Sequence, residues 1–182
     1  MSGASGRASV TRQACGLTIE RTFAASRERV FAALSRAEEL LRWWGPPGCP
    51  VVWCAVDFRP GGVWHYCLRN ESGVEVWARS VYREIVAPRL VSYDERSSNA
   101  AGEVTNERPG AFATIALTTI PVGTRFRATL RYVDAGQRDL AIGYGVEGGF
   151  SSALDLLDQH LRDTEPSGTE PIGTRPTDRS KQ

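Results

Sequence analysis

Between Trp43 and Trp64 the chain constrains its own folding more tightly than anywhere else. The segment reads Trp43-Trp44-Gly45-Pro46-Pro47-Gly48, then an apolar run, then Asp57-Phe58-Arg59-Pro60-Gly61-Gly62-Val63-Trp64. A helix cannot pass through Gly45 to Gly48, because proline lacks the amide donor and fixes φ, while glycine carries a backbone-entropy cost. Val51 to Phe58 is β-rich, and Pro60-Gly61 suits the two central positions of a type II turn. The sequence therefore predicts a helix stop, a buried strand and a tight turn into a second strand. Trp43 and Trp44 stand at the mouth of this hairpin, which carries Trp53, Trp64 and Tyr66. So much aromatic surface in one place makes a core, a ligand pocket, or both.

Around the hairpin the pattern is strand, two short helices, a run of strands and a long helix. Leu17 to Phe23 alternates apolar and polar residues, as a half-buried strand does. Ser26 is an N-cap for a helix through about Leu34, and Ala37 to Trp43 makes a second short helix. Strands are expected at 50–58, 62–69, 74–86, 89–96, 111–120 and 124–133, separated by turn residues such as Ala87-Pro88 and Pro121-Val122-Gly123. From Val146 to Asp163, Phe150, Ala153, Leu154, Leu157 and Leu161 form one stripe of an amphipathic helix, with Asp155, Asp158 and Arg162 elsewhere. The polar gap 97–110 reads as a mobile flap or a disordered loop. Residues 1–15 and 164–182 are expected to be disordered tails flanking one domain at 16–163. An antiparallel sheet with a long helix on one face is an α+β architecture, and the gap between the two would admit a small molecule.

Composition narrows the chemistry. A net charge of +1 with mixed signs argues against nucleic acid as a partner. Lys181 is the single lysine, so the domain offers no lysine for a Schiff base or a phosphate loop. No apolar run is long enough to span a membrane and the N-terminus shows no signal-peptide core, so a cytoplasmic protein is expected. Cys15, Cys49, Cys54 and Cys67 lack paired metal-ligand spacing and the two histidines lie far apart, so neither a metal nor another cofactor is expected. If Arg59 pairs with Gly62 across the turn, Cys54 falls opposite Cys67 as a neighbouring thiol. Gly143, Gly145 and Gly148 match a dinucleotide fingerprint in spacing, but no βαβ unit can follow them, so they read as a flexible approach to the last helix.

Three motifs together carry a resemblance: Trp43-Trp44-Gly45-Pro46, Asp57 to Trp64, and Val81-Tyr82-Arg83-Glu84-Ile85-Val86-Ala87-Pro88-Arg89-Leu90-Val91. In this order of elements they resemble the START-like (SRPBCC) superfamily, and within it the branch named after the activator of Hsp90 ATPase. The resemblance spans roughly residues 17 to 163. It implies a helix-grip fold, a curved antiparallel sheet of about six to seven strands wrapped on the C-terminal helix, with a deep apolar cavity. It further implies lipid or aromatic-metabolite binding, resistance to small toxins, or polyketide cyclase activity, with a chaperone role as another branch. The final helix of such proteins usually opens with Gly-Trp. Gly149-Phe150 here keeps an apolar anchor and removes an indole donor.

Strand parity places Trp64, Tyr66 and Leu68 on one face, with Trp53 and Asp57 opposite them on the neighbouring strand. If that face is concave, these residues line the cavity with Trp44 and Phe150, and Ser80, Tyr82, Ser92 and Asp94 supply polar groups. The alternative is that the tryptophans simply fill core. Asp57 and Arg59 read as an ion pair that sets the hairpin, or else as ligand-orienting groups. His65 should point to the other face, and His160 reads as a solvated residue at a helix end. The leading expectation is a non-catalytic module holding an apolar or aromatic small molecule. A cyclase/aromatase-type enzyme using Tyr66, Tyr82, Asp57 or Asp94, and a co-chaperone-like interaction module, remain as alternatives. Monomer and homodimer are both open.

Overall fold

At Pro60-Gly61 the backbone does what its residues require. Gly61 has φ of 79°, and the Gly62 amide donates to the Arg59 carbonyl at 2.8 Å, closing a type II turn. This turn belongs to a computed structural model that describes residues 6–164. Along them run β1 (Ser9–Gln13), β2 (Gly16–Phe23), α1 (Arg27–Ser35), α2 (Ala37–Trp43), β3 (Val51–Val56) and β4 (Val63–Arg69). There follow β5 (Glu75–Val86), β6 (Leu90–Ser98), β7 (Ala111–Ile120), β8 (Gly123–Arg131), α3 (Ala135–Gly143) and α4 (Val146–Asp163). The strands form one curved antiparallel sheet in the order β1-β2-β8-β7-β6-β5-β4-β3. The α+β architecture expected from the sequence is present, with eight strands rather than six or seven.

The core lies between the inner face of this sheet and the helices. Leu17, Ile19 and Phe23 of β2 meet Phe126, Ala128 and Leu130 of β8, and beyond them Ala113 and Ile115 of β7 and Tyr93 of β6. From the helical side come Val30, Phe31 and Leu34 of α1, Leu40 and Trp43 of α2, and Ala153, Leu154, Leu157 and Leu161 of α4. The Ser26 hydroxyl caps α1 at the Arg29 amide, and α2 ends at Trp43 as the glycine–proline stop dictates.

Several expectations need correction. Residues 9–13, expected within a disordered tail, form β1. All five of its residues are exposed, so it shows no buried alternation; backbone pairing with β2 and an Arg12–Glu147 ion pair at 2.8 Å hold it. Residues 1–5 and 165–182 lie outside the described residues. The segment 135–143 is helix α3, begun by Asp134, whose side chain accepts from the Gln137 amide. Asp158 belongs to the buried face of α4, paired with the equally buried Arg21 at 3.2 Å and with Arg162. His160 is not solvated: it meets Glu39 at 2.5 Å and Arg29 at 3.2 Å, tying α4 to α1 and α2.

The register of the first hairpin differs by one residue from the expected one. The Arg59 amide bonds back to the Asp57 carbonyl at 2.9 Å, which lifts Phe58 out of the ladder as an extra residue. Phe58 packs instead against Phe31 and Tyr82. Cys54 is therefore opposite Tyr66, and Trp53 is opposite Cys67. A further extra residue, Val52, falls between the Val51–Leu68 and Trp53–Cys67 pairs, and another irregularity follows at Arg83. Tyr82 pairs with Tyr93, whereas Glu84 pairs with Ser92. Each extra residue turns the strand beyond it over, so the faces expected for Trp53, Asp57, Ser92 and Asp94 are inverted.

Candidate functional site

A cavity of about 500 Å³ opens between the inner face of β4 to β8, the segment after α2, and the α3–α4 junction. Its aromatic wall is built outward from Trp44, just past the end of α2. The Trp44 ring contacts Trp64 at 4.8 Å, Phe150 at 5.6 Å and Tyr66 at 6.1 Å between centroids, mostly edge to face. Gly45, with φ of 96°, lets the chain turn away directly after that ring; a side chain there would strike the Cys49 carbonyl. Ala111 and Ala113 of β7 and Ala153 of α4 line the cavity with small side chains, which leaves the volume open.

At the polar end of the wall sits Glu95 of β6. Its Oε2 accepts from the Tyr66 hydroxyl at 3.0 Å and, more weakly, from Ser80 Oγ at 3.4 Å. Its Oε1 has no protein partner among the described residues. Burial raises the Glu95 pKa above the usual carboxylate range, against the lowering effect of those two hydroxyls. The surrounding phenols respond in the same direction. Burial, then the carboxylate, drives Tyr66 and Tyr93 well above their ordinary value and pushes Tyr132 up to about 12. Cys49 also lines the cavity, and burial raises its thiol, so it stays protonated near neutral pH. The site thus offers one tunable proton on Glu95, one shared hydroxyl on Tyr66, and an aromatic wall. Among the described residues no cluster of metal-ligating side chains accompanies it, and no helix is long and apolar enough to cross a membrane.

Of the residues singled out from the sequence, Trp44, Tyr66, Leu68 and Phe150 line the cavity. Trp64 and Tyr82 are on the inner face but fully packed, at 3% and 1% exposed, and Ser80 is buried beneath Glu95. The rest are elsewhere. Trp53 is on the outer face beside His65 and Trp77, with ring centroids 5.1 and 5.4 Å away. Asp57 is at the surface in an ion pair with Arg59 at 2.9 Å, so the hairpin-setting pair exists but is exposed. Ser92 and Asp94 face away from the cavity, the latter bonded to Arg83. Glu95, Tyr93 and Tyr132 were missed. The alternation of Val91 and Tyr93 with Ser92 and Asp94 carried the signal that the odd-numbered positions face inward.

A long helix gripped by a curved antiparallel sheet, with an aromatic-walled cavity between them, defines a START-like helix-grip protein. The description "Activator of Hsp90 ATPase homolog 1-like protein" matches residues 24–162. The chain belongs to that family, as its sequence motifs suggested. Among solved structures it resembles a protein from Arthrobacter aurescens at 25% identity and a TM-score of 0.80, covering 92% of this chain and 98% of that one. It also resembles a Mycobacterium smegmatis protein at 23% identity and TM-score 0.78, covering 90% and 100% of the two chains. A further likeness is to an AHSA1 protein of Silicibacter pomeroyi at 22% identity and TM-score 0.68, covering 82% and 99%. Among curated proteins no sequence match was found.

Proposed function

We propose that this protein binds an apolar or aromatic small molecule in the cavity, with Glu95 fixing its orientation. The observation that carries the reading is that Oε1 of Glu95, at the edge of a wall made by Trp44, Tyr66 and Phe150, has no partner among the described residues. Rings of this kind supply burial without hydrogen-bond demands, and a single polar group then selects the pose. Protonated, Glu95 donates to a carbonyl; ionised, it accepts from a hydroxyl or an N–H.

One observation favours a second reading, an enzyme moving a proton. A carboxyl with a raised pKa that shares a hydrogen bond with a buried tyrosine is a suitable acid or base for a cyclisation within a shaped cavity. A co-chaperone role is supported by the family description alone.

The test is a thermal-shift screen against fatty acids, flavonoids, aromatic polyketides and quinones, with Glu95→Gln in parallel. A ligand at about 100 times its Kd adds about 2.7 kcal/mol, or roughly 5–10 °C in Tm at this size. A shift from one chemical class that shrinks in Glu95→Gln supports binding, and product formation lost in the same variant supports the enzyme. A flat screen sinks the small-molecule reading for those classes and directs the search to a protein partner.

A further inference from the structure

The outer end of the cavity differs in charge from its Glu95 end. Arg108 lines it, opposite Tyr144 at the α3–α4 junction, while Arg96 flanks the opening from the other face of β6. Arg108 is fixed at its main chain, where the amide donates to Ser97 Oγ at 3.3 Å, and its guanidinium carbon lies 5.2 Å from the centre of the Tyr144 ring. Arg96 donates from Nη1 to the Glu95 carbonyl oxygen at 3.3 Å. Its guanidinium occupies the space that a side chain at Gly110 would fill, for a Cβ there would lie 1.9 Å from Nη1.

Neither guanidinium has a carboxylate partner among the described residues. Elsewhere this chain pairs its arginines readily: Arg12 with Glu147, Arg29 with Glu39, Arg69 with Glu75, Arg83 with Asp94. The charge at the mouth is not spent on Glu95 either. Burial and the Tyr66 and Ser80 hydroxyls govern that carboxyl's proton, whereas Arg108 reaches across to Cys49, where it partly offsets the upward push of burial on the thiol. An uncompensated guanidinium at the mouth of an apolar cavity is a seat for an anion, and its planar fork suits a planar or tetrahedral acid.

We propose that the ligand is an amphiphilic acid, its apolar or aromatic body held in the cavity and its acidic head group at the mouth against Arg108. This rests on the reading that the cavity holds a small apolar molecule, and adds the chemistry of the exposed end. It also orients the ligand: the acid stays at the opening, where it remains partly hydrated, and the body points toward Glu95.

Two fluorescent probes with the same naphthyl-phenylamine body test this directly. 8-Anilinonaphthalene-1-sulfonate carries an acidic group, and N-phenyl-1-naphthylamine carries none. Each is titrated into the full chain as wild type, Arg108→Gln, and Arg96→Gln as the outer-face control, with circular dichroism confirming the fold and mutual competition confirming one site. The expected result is a loss of about three- to tenfold in affinity for the sulfonate in Arg108→Gln, less than about a twofold change for it in Arg96→Gln, and less than about a twofold change for the neutral probe in either. Added salt should weaken sulfonate binding to the wild type and leave the neutral probe unaffected. If both probes bind and compete but Arg108→Gln treats them alike, the acidic head group is refuted and the cavity reading stands. If neither probe binds, or the two do not compete, the cavity reading falls and this inference with it.

Discussion

Replacing Tyr66 by phenylalanine should destabilise the protein by an amount that grows with pH. The Tyr66 side chain is 4% exposed and its hydroxyl donates to Glu95 at 3.0 Å, while the remaining donor, Ser80, is at 3.4 Å. Because burial raises the Glu95 pKa, the folded state holds that proton more tightly than the unfolded chain does. The wild type therefore loses stability from this group as pH rises from the unfolded carboxylate value, ~4.3, to the higher folded value, and no further beyond it. Tyr66 lowers the folded value, so removing its hydroxyl moves that value up and deepens the loss. At about pH 4 the bond is between neutral groups and its loss costs about 1 kcal/mol; once Glu95 is ionised the bond has a charged acceptor and its loss costs about 2 kcal/mol. The difference corresponds to roughly 2–4 °C of additional Tm depression. Urea unfolding followed by tryptophan fluorescence, from about pH 4 to about pH 8, measures the cost in wild-type and Glu95→Gln backgrounds. In the glutamine background the cost should stay flat near ~1 kcal/mol, since no carboxylate forms. A Tyr66→Phe cost that does not change with pH, or that rises equally when Glu95 is glutamine, would refute the coupling of these two groups.

Two further predictions concern the frame around the site. Asp158→Asn should cost about 3 kcal/mol by leaving the buried Arg21 guanidinium with the exposed Asp155 alone, and Arg21→Met/Asp158→Leu should recover most of it; chemical denaturation giving less than about 1 kcal/mol for the single variant contradicts this. Gly62→Ala puts a Cβ 2.0 Å from the Asp57 carbonyl oxygen, so the hairpin should lose more than about 2 kcal/mol, whereas Gly143→Ala, where a Cβ meets open space, should cost under about 1 kcal/mol by the same assay.

Where local chemistry decides structure, the sequence was legible. The Trp44-Gly45-Pro46 stop ended α2 at Trp43, and the apolar stripe from Val146 to Asp163 became α4 over that span. Where pairing decides, it was not. Strand β1 buries none of its side chains and exists because β2 offers it a ladder. Helix α3 buries Ala141 alone of its residues, and its visible mark was Asp134 followed three residues on by Gln137. The faces of β3 and β6 turned on inserted residues, Phe58 and Val52 at the two ends of β3 and Arg83 in β5. No composition rule announces such residues, because a strand with an extra residue has the same propensities as one without. Glu95 shows the consequence for function. Flanked by Asp94 and Arg96 it looks like part of a solvated charge run, and the register with Ser80 and Ala111 is what turns it inward.

The sheet order also bears on how such a chain is made. Strand β2 finds one of its neighbours in β8, with Gly16 opposite Arg131 and Phe23 opposite Thr124, so the pairing closes a loop of roughly a hundred residues and comes late in folding. During synthesis Leu17, Ile19 and Phe23 emerge from the ribosome well before either β8 or α4, the elements that cover them. For most of translation the nascent chain carries a bare apolar strand. The cavity has no precursor in that state, because its floor and roof are delivered last. A chain cut short before α4 would accordingly be an adhesive fragment, prone to self-association, rather than a less stable copy of the folded protein.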